Sequence, residues 1–306
     1  MVYKNNNILR ENRNISYIAL GSFDGLHKGH LTLIRKLVDL AKDNKGKGIV
    51  YTFKNHPRTL VKSKSTPKLL LDNLSKEEIL KEKNVDLVYF QQFTEEFMKN
   101  TPEEFIKFLI DKFNIKGIVV GFNYRFGYKN TGDVELLQKL SHKYDLELHV
   151  MEPCKFEEEV VSSTRIRDEI LKGNLEKANK MLTREYFLRG KVIYGRQIGR
   201  TIGFPTANLG YSEAALLPKE GVYYTNVILK NKKYKGITSI GNNPTVNGKT
   251  ITVETFILDF DGDIYGEEIK VCFIERIRDN SKFNSINELK DQLNKDKIFA
   301  EKQKNM

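Results

Sequence analysis

Cysteine is scarce in this chain, with two among 306 residues, and long apolar runs are missing altogether. Cys154 and Cys272 stand far apart, without the paired spacing of a zinc site or a disulfide framework, so they read as buried, inert thiols in a reducing compartment. No stretch approaches the roughly 18 consecutive apolar residues of a membrane-spanning helix, which excludes that kind of anchor. Met1 to Arg13 is polar and asparagine-rich, lacking the apolar centre of a secretory signal, and the expected location is therefore the cytoplasm. No repeat or low-complexity tract separates the two halves of the chain.

What is present fits a soluble globular protein, with 40% hydrophobic and 30% charged residues. A length of 306 residues exceeds the usual single domain and predicts two. The net charge of +11 would suit polyanions, but the basic residues are scattered among acidic ones rather than gathered in a stripe. The expectation is a solvated basic surface and small-molecule partners, with neither nucleic acid nor membrane.

From Ile15 to about Leu182, short apolar strands alternate with amphipathic helices, the pattern of βα units on a parallel sheet. Strands are expected at Ile15–Leu20, Gly48–Phe53, Val85–Phe90, Gly117–Gly121 and Leu146–Met151. Leu31, Ile34, Leu37, Val38 and Ala41 recur at helical spacing and should line one buried face. Ser75 with Glu78, Thr101 with Glu104 and Ser285 with Glu288 read as capping boxes, and Pro102 suits a first helical position. Beyond Leu182 the texture changes to glycine-punctuated strands, which predicts an antiparallel barrel or sandwich closed by a helix. Asp259 to Asp263 is expected to turn a hairpin. The change of pattern puts the domains at 1–183 and 184–306.

Directly after the first strand stands Gly21-Ser22-Phe23-Asp24-Gly25-Leu26-His27-Lys28-Gly29-His30, opening into a helix. In a parallel sheet this edge bears ligands, and a helix N-terminus offers N–H groups and positive potential to phosphate. Gly21, Gly25 and Gly29 permit close backbone approach, while His27 and His30 can donate to a leaving pyrophosphate. No G-K-[ST] follows, so this is not a Walker A loop. Val120 to Gly127 leaves the fourth strand on the same edge, and Ser162-Ser163-Thr164-Arg165-Ile166-Arg167 opens a further helix with hydroxyls and guanidiniums suited to a triphosphate.

The ordered set resembles the FMN adenylyltransferase module of bacterial bifunctional FAD synthetases, of the HxGH nucleotidyltransferase superfamily. The resemblance implies a Rossmann-like domain in which His27 and His30 engage ATP phosphates, joined by Gly21, Phe23, Asp24, Gly25 and Gly29. It implies that Asn123 holds phosphate or metal, that Ser163, Thr164 and Arg167 close over the triphosphate, and that Phe126 borders the flavin. Asn123-Tyr124 replaces the more usual Asp-Phe.

The later half carries four glycines in fourteen residues, Gly190, Gly195, Gly199 and Gly203, leading into Phe204-Pro205-Thr206-Ala207-Asn208. Thr206 and Asn208 are hard oxygen donors two apart, which an extended strand puts on one face. The string G-x-x-x-G-R-x-x-G-F-P-T-A-N resembles riboflavin kinase, and Val253-Glu254-Thr255 follows in the family's order. By that resemblance Glu254 is the base for the riboflavin 5′-hydroxyl, Thr206 and Asn208 bind Mg²⁺, and Gly195, Gly199 and Gly203 line the ATP phosphates. Phe256 stands where the family has histidine, and Asn280 where it has glutamate. Two activities are therefore expected, making FMN and then FAD from riboflavin and ATP, with a weakened kinase half as the alternative.

Overall fold

The computed structural model describes residues 15–55, 66–195, 199, 202–245 and 248–303, of which 243–245 and 248–250 are described by backbone alone. The chain forms two compact units that divide between Ser163 and Thr164.

The first unit is built on five parallel strands, β1 (Ser16–Leu20), β2 (Lys47–Phe53), β3 (Leu87–Gln91), β4 (Ile115–Gly121) and β5 (Glu147–Met151), in the order β3-β2-β1-β4-β5. β1 is central and buried at every position. Its odd and even residues face different helical layers. Ile18 and Leu20 join a core with Phe105, Ile106, Leu109 and Leu137, which belong to α4 (Pro102–Phe113) and α5 (Val134–Lys143). On the opposite face lies α1 (Lys28–Asp43), whose Leu37 and Ala41 approach Gly48 of β2. Leu33 and Leu40 are buried on α1 where Leu31 and Val38 were expected, and those two are only half-buried. The strand order reverses between β1 and β4, so the loops leaving those strands flank a crevice. A two-stranded ribbon, β6 (Lys155–Phe156) with β7 (Glu159–Val160), follows β5.

Thr101 and Glu104 form the expected capping box at the start of α4, with Pro102 in its first turn. The helix expected at Ser75 begins earlier. α2 (Asn73–Glu82) is capped by Asp72, whose carboxylate takes both the Ser75 N–H at 2.9 Å and the Ser75 hydroxyl at 2.7 Å. The Asp72 carboxylate takes the amide of the third helical residue, so the helix starts one turn earlier and Ser75 lies inside it as a donor. The short helix α3 (Glu95–Met98) precedes α4.

The second unit opens at Thr164, one residue into α6 (Ser163–Lys172), and continues with α7 (Leu175–Leu182), which packs on β8 (Tyr186–Ile193) and β13 (Glu268–Arg278). The remaining strands are β9 (Thr206–Gly210), β10 (Gly221–Leu229), β11 (Lys232–Thr245) and β12 (Gly248–Ile257). All six close an antiparallel barrel in the order β10-β11-β12-β9-β8-β13. Buried Thr225, Thr238 and Thr255 satisfy one another through hydroxyl contacts of 2.9 Å each. Across the outer face, α8 (Ile286–Lys302) packs Ala300 and Phe299 with Val222, Tyr224 and Ile237.

The hairpin expected at Asp259–Asp263 does not exist. β9 and β8 lie between β12 and β13 in the barrel, so the segment is a crossover loop and not a two-strand turn. Its positive φ belongs to Asp259, at 54°, and not to Gly262.

Candidate functional sites

The turn after β1 is held in an unusual backbone shape, with positive φ at Phe23 (47°), Gly25 (81°) and Leu26 (41°). Bulky residues occupy that region only when their surroundings over-determine it. Phe23 and Leu26 are fully buried. The Phe23 ring fills the space under Gly21, where an added Cβ would come within 3.1 Å of it.

His27 caps α1, its Nδ1 accepting from the His30 N–H at 3.4 Å. With Nδ1 used as acceptor, the neutral ring carries its proton on Nε2 and can donate there. The two imidazoles stack at 3.6 Å between centroids, and Phe23 meets His30 edge-on at 5.4 Å. A Cβ at Gly29 would sit 3.4 Å from the His27 ring, in ordinary van der Waals contact.

These residues border a cavity of about 540 Å³, which Gly21, Phe23, His27, Gly29, His30, Asn123, Phe126 and Ser163 all line. Asn123 sits on the turn leaving β4, closed by the Tyr124 N–H donating to the Gly121 carbonyl at 3.1 Å. Phe126 is buried, stacked on Tyr124 at 5.5 Å and close to Phe105. Burial pushes the Tyr124 hydroxyl well above the ordinary tyrosine range, so it stays a neutral donor. Asp24 and Gly25 stand behind the cavity wall. The buried Asp24 accepts from the Leu70 N–H at 3.1 Å, and its backbone carbonyl accepts from the Ser163 hydroxyl at 2.9 Å. Thr164 and Arg167 follow Ser163 on the first turns of α6, in the second unit.

Beyond the motif residues, Phe53, Phe93 and Phe97, none of which the sequence motifs marked, form an aromatic side of this cavity with Tyr124. Asn55 clamps the Phe93 backbone in both directions, donating to its carbonyl at 3.0 Å and accepting its N–H at 2.8 Å. The dense aromatics between Tyr89 and Phe97 were the available signal. Cys154 is half-buried on the cavity wall, 3.5 Å from the Thr32 hydroxyl, contrary to the expectation of a buried thiol. Cys272 is buried as expected, and burial pushes its thiol up to about 12.

In the second unit Thr206 and Asn208 alternate with buried Ala207 and Leu209, so both face outward from β9. Glu254 pairs directly with Asn208 in the β12–β9 ladder, and its carboxylate accepts from the Thr252 hydroxyl at 3.2 Å. Gly195 lies against Asn208, for a Cβ there would fall 2.2 Å from the amide nitrogen. The Gly199 carbonyl takes the N–H groups of Ile202 (3.2 Å) and Phe204 (2.8 Å), closing the glycine loop. Gly203 sits at φ 84° in open space. Arg200 and Thr201 of the motif lie outside the described residues.

Beside this face is a cavity of about 260 Å³, lined by Thr206, Pro205, Val192 and the crossover loop from Phe260 to Tyr265. Tyr194 stacks on Tyr265 at 4.0 Å. Asn208 and Glu254 lie outside that lining, with Thr206 joining the two. Among the described residues no cluster of three His, Cys, Asp or Glu side chains is arranged for a metal. Thr206 and Asn208 instead offer neutral oxygens next to one carboxylate, a hard-donor set that fits Mg²⁺ shared with phosphate oxygens. Phe256 packs on Phe204 at 5.2 Å, and Asn280 donates to the Ile240 carbonyl at 2.8 Å.

A parallel sheet with a histidine-capped helix at its switch point, followed by a barrel with a threonine–asparagine–glutamate face, defines a two-unit transferase of phosphoryl and nucleotidyl groups. Residues 9–165 match the FAD synthetase family and residues 182–304 the riboflavin kinase family. The chain belongs to the bifunctional riboflavin kinase/FMN adenylyltransferase family. It is 33% identical over 305 residues to the bifunctional riboflavin kinase/FMN adenylyltransferase of Buchnera aphidicola subsp. Schizaphis graminum, covering 98% of this chain and 97% of that one. The Bacillus subtilis enzyme of the same name is 33% identical over 298 residues, covering 96% and 94%. A crystal structure from Streptococcus pneumoniae, described as a macrolide-efflux protein, superposes with a TM-score of 0.90 at 35% identity over 99% of each chain. Among the described residues here, no helix is long and apolar enough to cross a membrane.

Proposed function

We propose that this chain makes FAD from riboflavin in two ATP-dependent steps, with residues 184–306 phosphorylating riboflavin to FMN and residues 1–183 adenylylating FMN. The observation that carries the reading is a division of chemistry. Stacked imidazoles at a helix start border an aromatic cavity in one unit, and a carboxylate is registered across from Asn208 in the other.

In the adenylyl transfer, an FMN phosphate oxygen attacks the α-phosphorus of ATP, and the bond to the β-phosphate oxygen breaks to release pyrophosphate. The nucleophile is already anionic, so the protein's task is positioning and charge stabilisation. His27 and His30 donate to the departing phosphates alongside the N-terminal amides of α1. Asn123 holds the phosphates, and on the family's pattern Ser163, Thr164 and Arg167 complete the triphosphate contacts. Phe53, Phe93, Phe97 and Phe126 supply the apolar surface that suits an isoalloxazine ring.

In the kinase step the nucleophile is a neutral primary alcohol, which needs a base. Glu254 takes the 5′-hydroxyl proton as oxygen attacks the γ-phosphorus and ADP leaves. Thr206 and Asn208 would hold Mg²⁺, which when bound neutralises phosphate charge. Gly195, Gly199 and Gly203 let the backbone approach the phosphates. Phe256 packs on Phe204 and Asn280 donates to the Ile240 carbonyl, so the barrel accommodates both residues. The enzyme's setting is the cytoplasm, its partners riboflavin, FMN and ATP.

A chromatographic time course on pure protein with riboflavin, ATP and Mg²⁺ tests the proposal. FMN should rise first and FAD after it. Conversion of supplied FMN to FAD, with riboflavin left untouched, would remove the kinase claim alone.

A further inference from the structure

Lys76 is a charged residue buried where a charge is costly. It lies on the first turns of α2 with 5% of its surface exposed, and its ammonium donates to the Ser22 carbonyl at 2.9 Å. The Thr52 hydroxyl, at the end of β2, donates to the same carbonyl at 2.9 Å. Two residues further along the turn, Asp24 accepts from the Leu70 N–H. The segment from Leu70 to Lys76 therefore grips the turn at two points, with Phe23 between them at positive φ.

We propose that Lys76 is a positioning residue for nucleotide transfer: by holding the Ser22 carbonyl beside Asp24, its ammonium keeps the Gly21–Leu26 turn in the shape that sets His27 and His30 at the helix start. The inference rests on the adenylyltransferase reading of that site. A turn with bulky residues at positive φ relaxes unless its ends are fixed, and an ammonium fixes a carbonyl more firmly than a neutral donor does. The charged groups facing Lys76 are Asp24 from the turn and Asp72 from the start of its own helix. The next residue, Glu77, is engaged instead by Lys81.

Burial pulls the Lys76 ammonium down from 10.5 to about 8, with Asp24 and Asp72 opposing the fall. Stability and activity should therefore respond oppositely to pH. Because the folded pKa lies below the unfolded one, the unfolded chain binds more protons between the two values, and this group makes folding more favourable as pH rises through that window. Nucleotide positioning, by contrast, worsens as the ammonium is lost. A purely structural lysine would make activity follow stability.

The test uses the full-length protein, with initial rates of FAD formation from FMN and ATP between about pH 6.5 and 9.5. The KM for ATP should rise as pH passes about 8 while the KM for FMN holds. Lys76→Met should raise the ATP KM roughly 10-fold at neutral pH, abolish the pH step and leave riboflavin phosphorylation unchanged. Thr52→Val removes the neutral donor and should keep the step. An ATP KM that is flat with pH in the wild type, or unchanged in folded Lys76→Met, overturns the inference. Should Lys76→Met fail to fold, the wild-type and Thr52→Val profiles decide the matter. A wild-type protein that makes no FAD from FMN overturns the adenylyltransferase reading and this inference with it.

Discussion

Glu254 stands directly across from Asn208 in the β12–β9 ladder, although 46 positions of sequence separate them. That register puts a carboxylate next to the Thr206 and Asn208 side chains on one outward face of the barrel, where the proposed mechanism needs a base. Glu254→Gln removes the base and keeps the shape, so riboflavin phosphorylation should fall by about 10²-fold or more. FMN-to-FAD conversion should hold, and separate chromatographic assays read both. Equal loss in the two assays would refute the division of labour.

His30→Ala should do the converse. If His30 donates to the leaving phosphates as proposed, its loss should cost on the order of 10²-fold in adenylyl transfer, and the kinase assay should not change.

Gly195→Ala tests the glycine loop. The new methyl group would fall 2.2 Å from the Asn208 amide nitrogen, so Asn208 must move or the loop must lift. Kinase activity should drop while adenylyl transfer persists.

The two thiols should differ sharply toward iodoacetamide. Cys272 is buried, with its thiol pushed up to about 12, and should stay unmodified in the native protein. Cys154 lines the first cavity and should be alkylated first, more slowly with ATP and FMN present. Peptide mass spectrometry distinguishes the sites. Labelling of Cys154 at one rate with and without ligands would separate that cavity from substrate binding.

The closing helix hangs on an ion pair. Arg278 donates three times to the two oxygens of the buried Asp296, at 3.0, 3.1 and 2.7 Å, and Gln292 adds a fourth bond at 2.9 Å. Arg278→Met leaves the Asp296 carboxylate buried without its cation, held by Gln292 alone, which costs about 3–5 kcal/mol. Urea unfolding of the barrel should move to lower denaturant, with little change in the first unit's transition.

Strand positions in the first unit were legible to within a residue or two because a parallel sheet buried on both faces leaves continuous apolar runs. The capping box at Thr101 was legible because its partners lie three residues apart. The cap at Asp72 was not. Asp72 and Ser75 are both good N-cap residues three apart, and Asp72 with Ser75 lacks the Glu or Gln that marks a capping box.

By itself the sequence determined what short-range chemistry can encode: alternation of strand and helix, the histidine pair at a helix start, and the donors Thr206 and Asn208 on one face. Only tertiary structure decided which distant residues meet. The insertion of β9 and β8 between β12 and β13 removed an expected hairpin, gave Glu254 its neighbour, and made the crossover loop a cavity wall. Packing likewise gathered Phe53, Phe93 and Phe97 about one space and buried Lys76 against the turn that follows β1. The physical reason is that periodicity and caps act over a few residues, whereas strand order and burial are set by where a closed barrel or a covered sheet can satisfy its backbone hydrogen bonds.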